Sequence, residues 1–108
     1  MKRFIFVLGA LSACTSGSSP SGITQQSLTC PPDSTLTYDN FGESFIADNC
    51  LSCHTKNDQP HLTSVDAVRS HAAKIISAAV TSTSMPRGSN MTDDERSMLG
   101  EWLTCGAP

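Results

Sequence analysis

The feature that most limits what this chain can fold into is a C-x-x-C-H motif, formed by Cys50, Cys53 and His54. Two thiols at this spacing can each form a thioether with one vinyl group of a porphyrin, which brings the adjacent imidazole against the iron. A thioredoxin-like redox pair or half of a zinc site also contains C-x-x-C, but neither requires a histidine directly after it. The motif therefore predicts one covalently attached haem c, held by both cysteines, with His54 as an axial iron ligand.

The first residues of the chain have the pattern of an export signal. Lys2 and Arg3 precede an apolar run over 4–11, which is too short to span a bilayer. The run leads through Leu-Ser-Ala to Cys14, a pattern that resembles the lipobox of bacterial lipoproteins. We therefore expect a signal peptide over 1–13, a lipid on Cys14 and attachment to a membrane of the bacterial cell envelope. An ordinary signal peptide that happens to end near this cysteine is the alternative.

Residues 15–29 have the composition of a linker, because they are rich in serine and glycine and nearly free of charge and of large apolar side chains. Such segments behave as flexible coils. We predict a lipidated tether over 14–29, followed by one folded domain over 30–108. A domain of that size supports a single small core and usually needs a disulfide or a cofactor to be stable.

The five cysteines are an odd number for an exported chain, in which a leftover thiol needs an explanation. With Cys14 assigned to the lipid and the two motif cysteines to haem, Cys30 and Cys105 remain. We predict a disulfide between them, which stabilises a fold by about 4 kcal/mol in the chain-entropy model. Two free thiols are the alternative.

The charge of the chain excludes one class of partner. The formal net charge is −3 at pH 7, and removal of Lys2 and Arg3 with the signal peptide makes it more negative. A nucleic-acid-binding domain is basic, so we expect no nucleic-acid partner. The sequence also contains no glycine-rich phosphate loop and no Ser-His-Asp arrangement.

Hydrophobic periodicity predicts three helices and no strand, so the predicted fold class is all-α. The first helix covers about 39–51, with Asp39 as its N-cap. Its apolar face contains Phe41, Phe45 and Ile46. Gly42 is unfavourable inside a helix, so it indicates a close crossing by another element, for which Trp102 is the expected neighbour.

The second and third helices are predicted over about 64–79 and 93–104. The inward positions of the second are Val65, Val68, Ala72, Ile75, Ile76 and Ala79. The third begins with a capping box, in which Thr92 and Glu95 have the required spacing. Its apolar stripe consists of Met98, Leu99, Trp102 and Leu103.

Over about residues 38–104, these motifs together resemble a small monohaem cytochrome c of the class I type. The family has a helix before C-x-x-C-H, a later Met-Pro and a C-terminal helix with an aromatic residue. The resemblance implies that a methionine on the loop before the last helix binds iron opposite the histidine, and Met85 occupies that position. Met91 is the alternative ligand, whereas Met98 is assigned to the apolar stripe.

The same resemblance implies a supporting role for Pro60. Family members carry a Pro-x-Leu after the motif, and Pro60 with Leu62 is similar to it. The proline carbonyl accepts the ring proton of the axial histidine, which fixes the orientation of the ring. His61 and His71 are alternative ligands, and ligation by two histidines would lower the reduction potential.

The expected function is one-electron transfer by the haem of a monomeric, membrane-anchored cytochrome facing the periplasm or the cell exterior. Its partners would be redox proteins. The chain is expected not to be an enzyme on its own, because a methionine in the sixth position leaves little room for substrate at the iron. A haem-based ligand sensor, or a dedicated electron-transfer subunit of a membrane dehydrogenase or oxidase, are the alternatives.

Overall fold

A computed structural model of the chain describes residues 20–51, 54, 59–87 and 91–108. The signal peptide, Cys14 and Cys53 lie outside these residues. Within them the chain is helical and forms no strand, apart from an isolated antiparallel bridge between Pro20 and Ser82. The all-α prediction is therefore confirmed. In the part of the chain described, no helix combines the length and the apolar character needed to cross a bilayer.

The first helical region begins with a π-helical turn, Tyr38–Gly42, and continues as α1, Glu43–Asn49. Its N-cap is Thr37, whose hydroxyl accepts the Asn40 N–H at 3.1 Å while the Asn40 side-chain oxygen accepts the Thr37 N–H at 2.7 Å. The prediction of Asp39 as N-cap is wrong, because the helical turn begins at Tyr38 and Thr37 forms the cap with Asn40. Asp39 instead lies in the first turn, where a carboxylate suits the helix dipole.

The second helical region is divided where the sequence predicts one helix. It consists of α2, Val65–Ser70, then α3, Ala72–Ile75, and a π-helical turn, Ile76–Val80. The division falls at His71, which has φ −109° and ψ 13°. Its ring Nδ1 donates to the Ala67 carbonyl at 2.8 Å, so a side chain competes there for an acceptor of the helix ladder.

The last helix, α4, spans Asp93–Thr104 as predicted, and the predicted capping box is present. The Glu95 N–H donates to the Thr92 hydroxyl at 3.2 Å. The buried face of α4 contains Arg96, Leu99, Gly100, Trp102 and Leu103. Met98 is 44 % exposed, so its assignment to the apolar stripe is wrong. The reason is angular, because at 100° per residue position 98 points away from the face that includes positions 96, 99 and 103.

Gly42 makes the closest approach between the first helical region and α4. A Cβ on Gly42 would lie within 3.0 Å of three ring atoms of Trp102, which is itself fully buried. The same indole meets Phe41 edge-on, with ring centroids 5.9 Å apart. The predicted close crossing is therefore confirmed, and the neighbour is the aromatic ring of α4.

The predicted disulfide is present between Cys30 and Cys105, whose Cα atoms are 4.9 Å apart. It joins the segment before the first helical region to the residue that follows α4. Their separation along the chain is 75 residues, so the bond closes most of the described chain into one loop.

Residues 20–29 pack against the domain. The Ser21 N–H donates to the Thr81 carbonyl at 3.1 Å, and Ile23 and Leu28 lie against the hydrophobic core. Part of the predicted tether is therefore in contact with the domain in the structure. Two apolar side chains in an otherwise polar stretch gain more from burial than the composition alone indicates.

Candidate haem-binding site

An apolar cavity of about 430 Å³ lies between α1, the second helical region and the segment that leads into α4. This volume is within the range of about 300–1,000 Å³ found for small-molecule and cofactor sites. Its apolar wall includes Phe45, Leu62, Ile75, Ala78, Ala79, Pro86 and Leu99. The same wall also contains Cys50, His54, Pro60, Met85 and Met91, so the cavity brings together most of the residues predicted from the sequence.

Cys50 follows α1 directly and is half-buried. Its N–H donates to the Ile46 carbonyl at 2.9 Å, which continues the helix ladder into the motif. Burial raises the pKa of the Cys50 thiol from 9.0 to about 11. Redox-active C-x-x-C pairs show the opposite shift, because their chemistry requires a thiolate near neutral pH. The environment of this cysteine therefore does not favour the thioredoxin-like interpretation.

His54 is held by three hydrogen bonds. Its N–H donates to the Cys50 carbonyl at 3.0 Å, and its own carbonyl accepts the Leu62 N–H at 2.9 Å. The ring Nδ1 lies 2.8 Å from the Pro60 carbonyl oxygen. Because a carbonyl only accepts, Nδ1 carries the proton and Nε2 keeps the lone pair that a metal ion requires. The hydrogen bond expected from the Pro-x-Leu resemblance is therefore present, and Leu62 contributes a second one.

The methionines differ in how they relate to the cavity. Met85 and Met91 both line it, whereas Met98 does not. Met91 is only 8 % exposed and belongs to the hydrophobic core, while Met85 is half-buried and packs against that core from outside. The geometry thus leaves two candidates for the sixth ligand, and Met91 already has a packing role.

The alternative histidine ligands lie elsewhere. Neither His61 nor His71 is part of the cavity wall. The ring Nε2 of His61 is 3.3 Å from the side-chain nitrogen of Gln59, and His71 donates to a helix carbonyl. These positions do not favour ligation by two histidines.

Charged side chains are found at the rim of the cavity. Asp48, Lys74 and Arg87 are exposed and contribute to its wall. The interior is apolar, and the rim carries two cations beside one carboxylate, so the cavity can accept a ligand with a large apolar body and anionic groups. Haem has this distribution, because its two propionates lie on one edge of the porphyrin. The residues present therefore fit the group that the motif implies.

Arg96 is a residue of this region that the sequence analysis missed. It is 3 % exposed, and its guanidinium donates to the carbonyl of Met85 at 2.8 Å. A signal was available in the sequence. Arg96 lies three and seven positions before Leu99 and Leu103, so it is in phase with the apolar face of α4.

Comparison of the chain with family models, with curated proteins and with solved structures finds no match. Among the described residues, no group of three or more His, Cys, Asp or Glu side chains is arranged to hold a metal ion. The function proposed below therefore rests on the chain's own residues.

Proposed function

We propose that the protein is a membrane-anchored monohaem c-type cytochrome that carries single electrons, with His54 and Met85 as the iron ligands. The observation that carries the proposal is the position of Cys50, His54 and Met85 on the wall of one apolar cavity. When bound, haem supplies reversible one-electron chemistry between ferric and ferrous iron. The cytochrome c-like arrangement of the helices around it is part of the proposal.

Each of the proposed haem-binding residues has a defined task. Cys50 and Cys53 each add sulfur and hydrogen across one vinyl double bond, so no atom is lost in the attachment. The Pro60 carbonyl holds the His54 ring through Nδ1 and makes Nε2 a better donor to iron. The thioether of Met85 favours reduced iron and raises the reduction potential. The apolar lining would keep water away from the iron.

The proposed location is based on the lipobox-like sequence before Cys14 and on the contacts of residues 20–29 with the domain. A lipid on Cys14 would hold the protein on a membrane, facing the periplasm or the cell exterior. Since Pro20 and the residues after it belong to the folded part, the chain from Cys14 to Pro20 can span at most roughly 20 Å. The haem domain would therefore stay near the membrane surface and exchange electrons with redox proteins that reach it there.

The experiment that tests this function is the analysis of haem attachment. The chain expressed together with a haem-attachment system is expected to retain haem after denaturation and acid extraction. The variant Cys50→Ala with Cys53→Ala is expected to lose it. The variant Cys30→Ser with Cys105→Ser is the matched control, because it also removes two thiols but leaves the motif intact. Absence of covalent haem from the unmodified chain would overturn the proposal.

A further inference from the structure

Arg96 is the buried charged side chain of the described part of the chain, with 3 % of its surface exposed. It lies in the first turns of α4, and its guanidinium points away from solvent toward the segment that connects the second helical region to Met85. Burial of a cation is unfavourable unless it is paired or hydrogen-bonded. The surroundings of this guanidinium therefore indicate what it holds in place.

Three backbone carbonyls surround the guanidinium. Arg96 Nη1 donates to the carbonyls of Ala79 at 2.6 Å, Ser82 at 3.1 Å and Met85 at 2.8 Å. Since Nη1 carries two N–H groups, one of them is shared between two acceptors. Ala79 lies in the π-helical turn, Ser82 lies in the turn after it, and Met85 is the proposed iron ligand.

These carbonyls replace a counter-ion. Within the described residues, the one ion pair is between Asp66 and Arg69, and Arg96 has no carboxylate partner. Ala79 lies in the last turn of a helical segment, where free carbonyls favour a cation. The Nε atom is buried without a hydrogen-bond partner, which is unfavourable, so the carbonyl contacts of Nη1 are what stabilises the charge.

Both backbone groups of Met85 are fixed as a result. Its N–H donates to the Ala78 carbonyl at 2.9 Å, and its carbonyl accepts from Arg96. The Ser84 hydroxyl donates to the same Ala78 carbonyl at 3.0 Å. The side chain of Met85 therefore extends from a backbone that is hydrogen-bonded on both sides, at the wall of the cavity.

We propose that Arg96 is a positioning residue, whose buried guanidinium holds the Met85 backbone at the cavity wall and thereby controls how easily the Met85 sulfur leaves the iron. The inference rests on the proposed ligation by His54 and Met85. Without the guanidinium, Met85 keeps the hydrogen bond from its N–H to the Ala78 carbonyl but loses the one to its own carbonyl. An added ligand then displaces the sulfur more readily from ferric iron.

The test compares Arg96→Met and Arg96→Lys with Arg69→Met and Arg69→Lys in the haem-containing protein. Arg69 is a matched control, because its guanidinium also donates to a distant backbone carbonyl, that of Ala107 at 2.9 Å, but it does not line the cavity. Imidazole is added to each ferric protein, and loss of the far-red band of the sulfur-to-iron bond is followed.

The Arg96→Met protein is expected to bind imidazole at least about tenfold more tightly than the unmodified protein, since a charged hydrogen bond is lost. Arg96→Lys is expected to be intermediate, because an ammonium keeps the charge but does not reach three carbonyls in the same geometry. Both Arg69 variants are expected to bind imidazole as the unmodified protein does. If Arg96→Met does not accumulate with haem, the imidazole affinities of Arg96→Lys and Arg69→Lys are compared instead.

Hydrogen exchange separates positioning from general stability. The Met85 amide is expected to exchange faster in Arg96→Lys, while the amides of α4 keep their protection. Equal imidazole affinity in the Arg96 and Arg69 variants, or loss of protection throughout α4, would overturn the positioning role and leave the haem proposal intact. A haem-containing unmodified protein without the far-red band would overturn Met85 ligation and this inference together.

Discussion

Among the glycines of the described residues, Gly42 has the least room for a side chain. The indole of Trp102 occupies the space in which any larger residue would put its Cβ, and that indole is fully buried. A rigid ring inside a packed core moves only together with its neighbours. The sequence indicated a close crossing at this position, and the structure identifies the ring that fills it.

We expect Gly42→Ala to lower the free energy of unfolding by about 1–3 kcal/mol, because overpacking forces Trp102 and the first helical region apart. Gly22→Ala is the control. A Cβ at Gly22 would meet only the end of the Asp93 side chain, at 3.0 Å, and that side chain is exposed and can move. Urea denaturation measures the free energy of unfolding of both variants. An equal loss in the two would show that the close approach of Trp102 does not restrict the size of the side chain at position 42.

The thiol of Cys50 allows a second prediction at this scale. Its pKa is raised from 9.0 to about 11, because burial disfavours the thiolate. The protonated thiol therefore stabilises the folded chain fully below pH 9, and this contribution is lost as the pH rises toward 11. In the chain prepared without haem, we expect iodoacetamide to label Cys50 slowly at neutral pH, with a midpoint near pH 11. Peptide mass spectrometry distinguishes it from Cys53. A midpoint below pH 8 would instead indicate a redox-active pair.

At the scale of elements, the sequence predicted the bounds of α4, whereas it predicted neither the division of the second helical region nor the contacts of residues 20–29 with the domain. The capping box and apolar stripe lie within twelve residues of each other along one helix, so the sequence predicted its bounds. The division at His71 depends on a ring that donates to a carbonyl, and the buried position of Arg96 depends on carbonyls far along the chain. Hydrophobic periodicity places Arg96 on the buried face of α4 but carries no sign of its carbonyl acceptors, and it carries no sign of the hydrogen bond at His71. The packing of residues 20–29 was missed for the same reason.

The packing of this N-terminal segment can be tested at Leu28. A methyl group of Leu28 lies close to the backbone of Gly100 on α4, within 3.0 Å of where a Cβ would stand. Because Leu28 is half-buried, we expect Leu28→Ala to lower the free energy of unfolding by about 1–2 kcal/mol, less than at a fully buried leucine. Gln26→Ala, at an exposed position of the same segment, is expected to have no effect. If both variants leave the denaturation curve unchanged, the segment does not pack on the domain.

At the scale of the whole molecule, the cavity is the point at which separate parts of the chain meet. Its wall combines the end of α1, the residues around Pro60, the second helical region and the Met85 segment. The sequence predicted Cys50, His54 and Met85 as one site, because it contains both the C-x-x-C-H motif and a Met-Pro before the last helix. It favoured Met85 over Met91 by its position before the last helix, but it could not show that both methionines line the cavity. The disulfide closes the chain outside this region, so neither of its cysteines is part of the cavity wall.

In the proposed function, His54 and Met85 bind one haem iron from the wall of this cavity. The most direct measurement is the far-red absorption of the ferric protein, because a sulfur-to-iron bond gives a weak band there. We expect the band in the unmodified protein and in Met91→Ala. Met85→Ala is expected to abolish it, to lower the reduction potential and to open the reduced iron to carbon monoxide. An unmodified protein that carries haem, lacks the band and binds carbon monoxide readily would contradict the account and favour a ligand sensor.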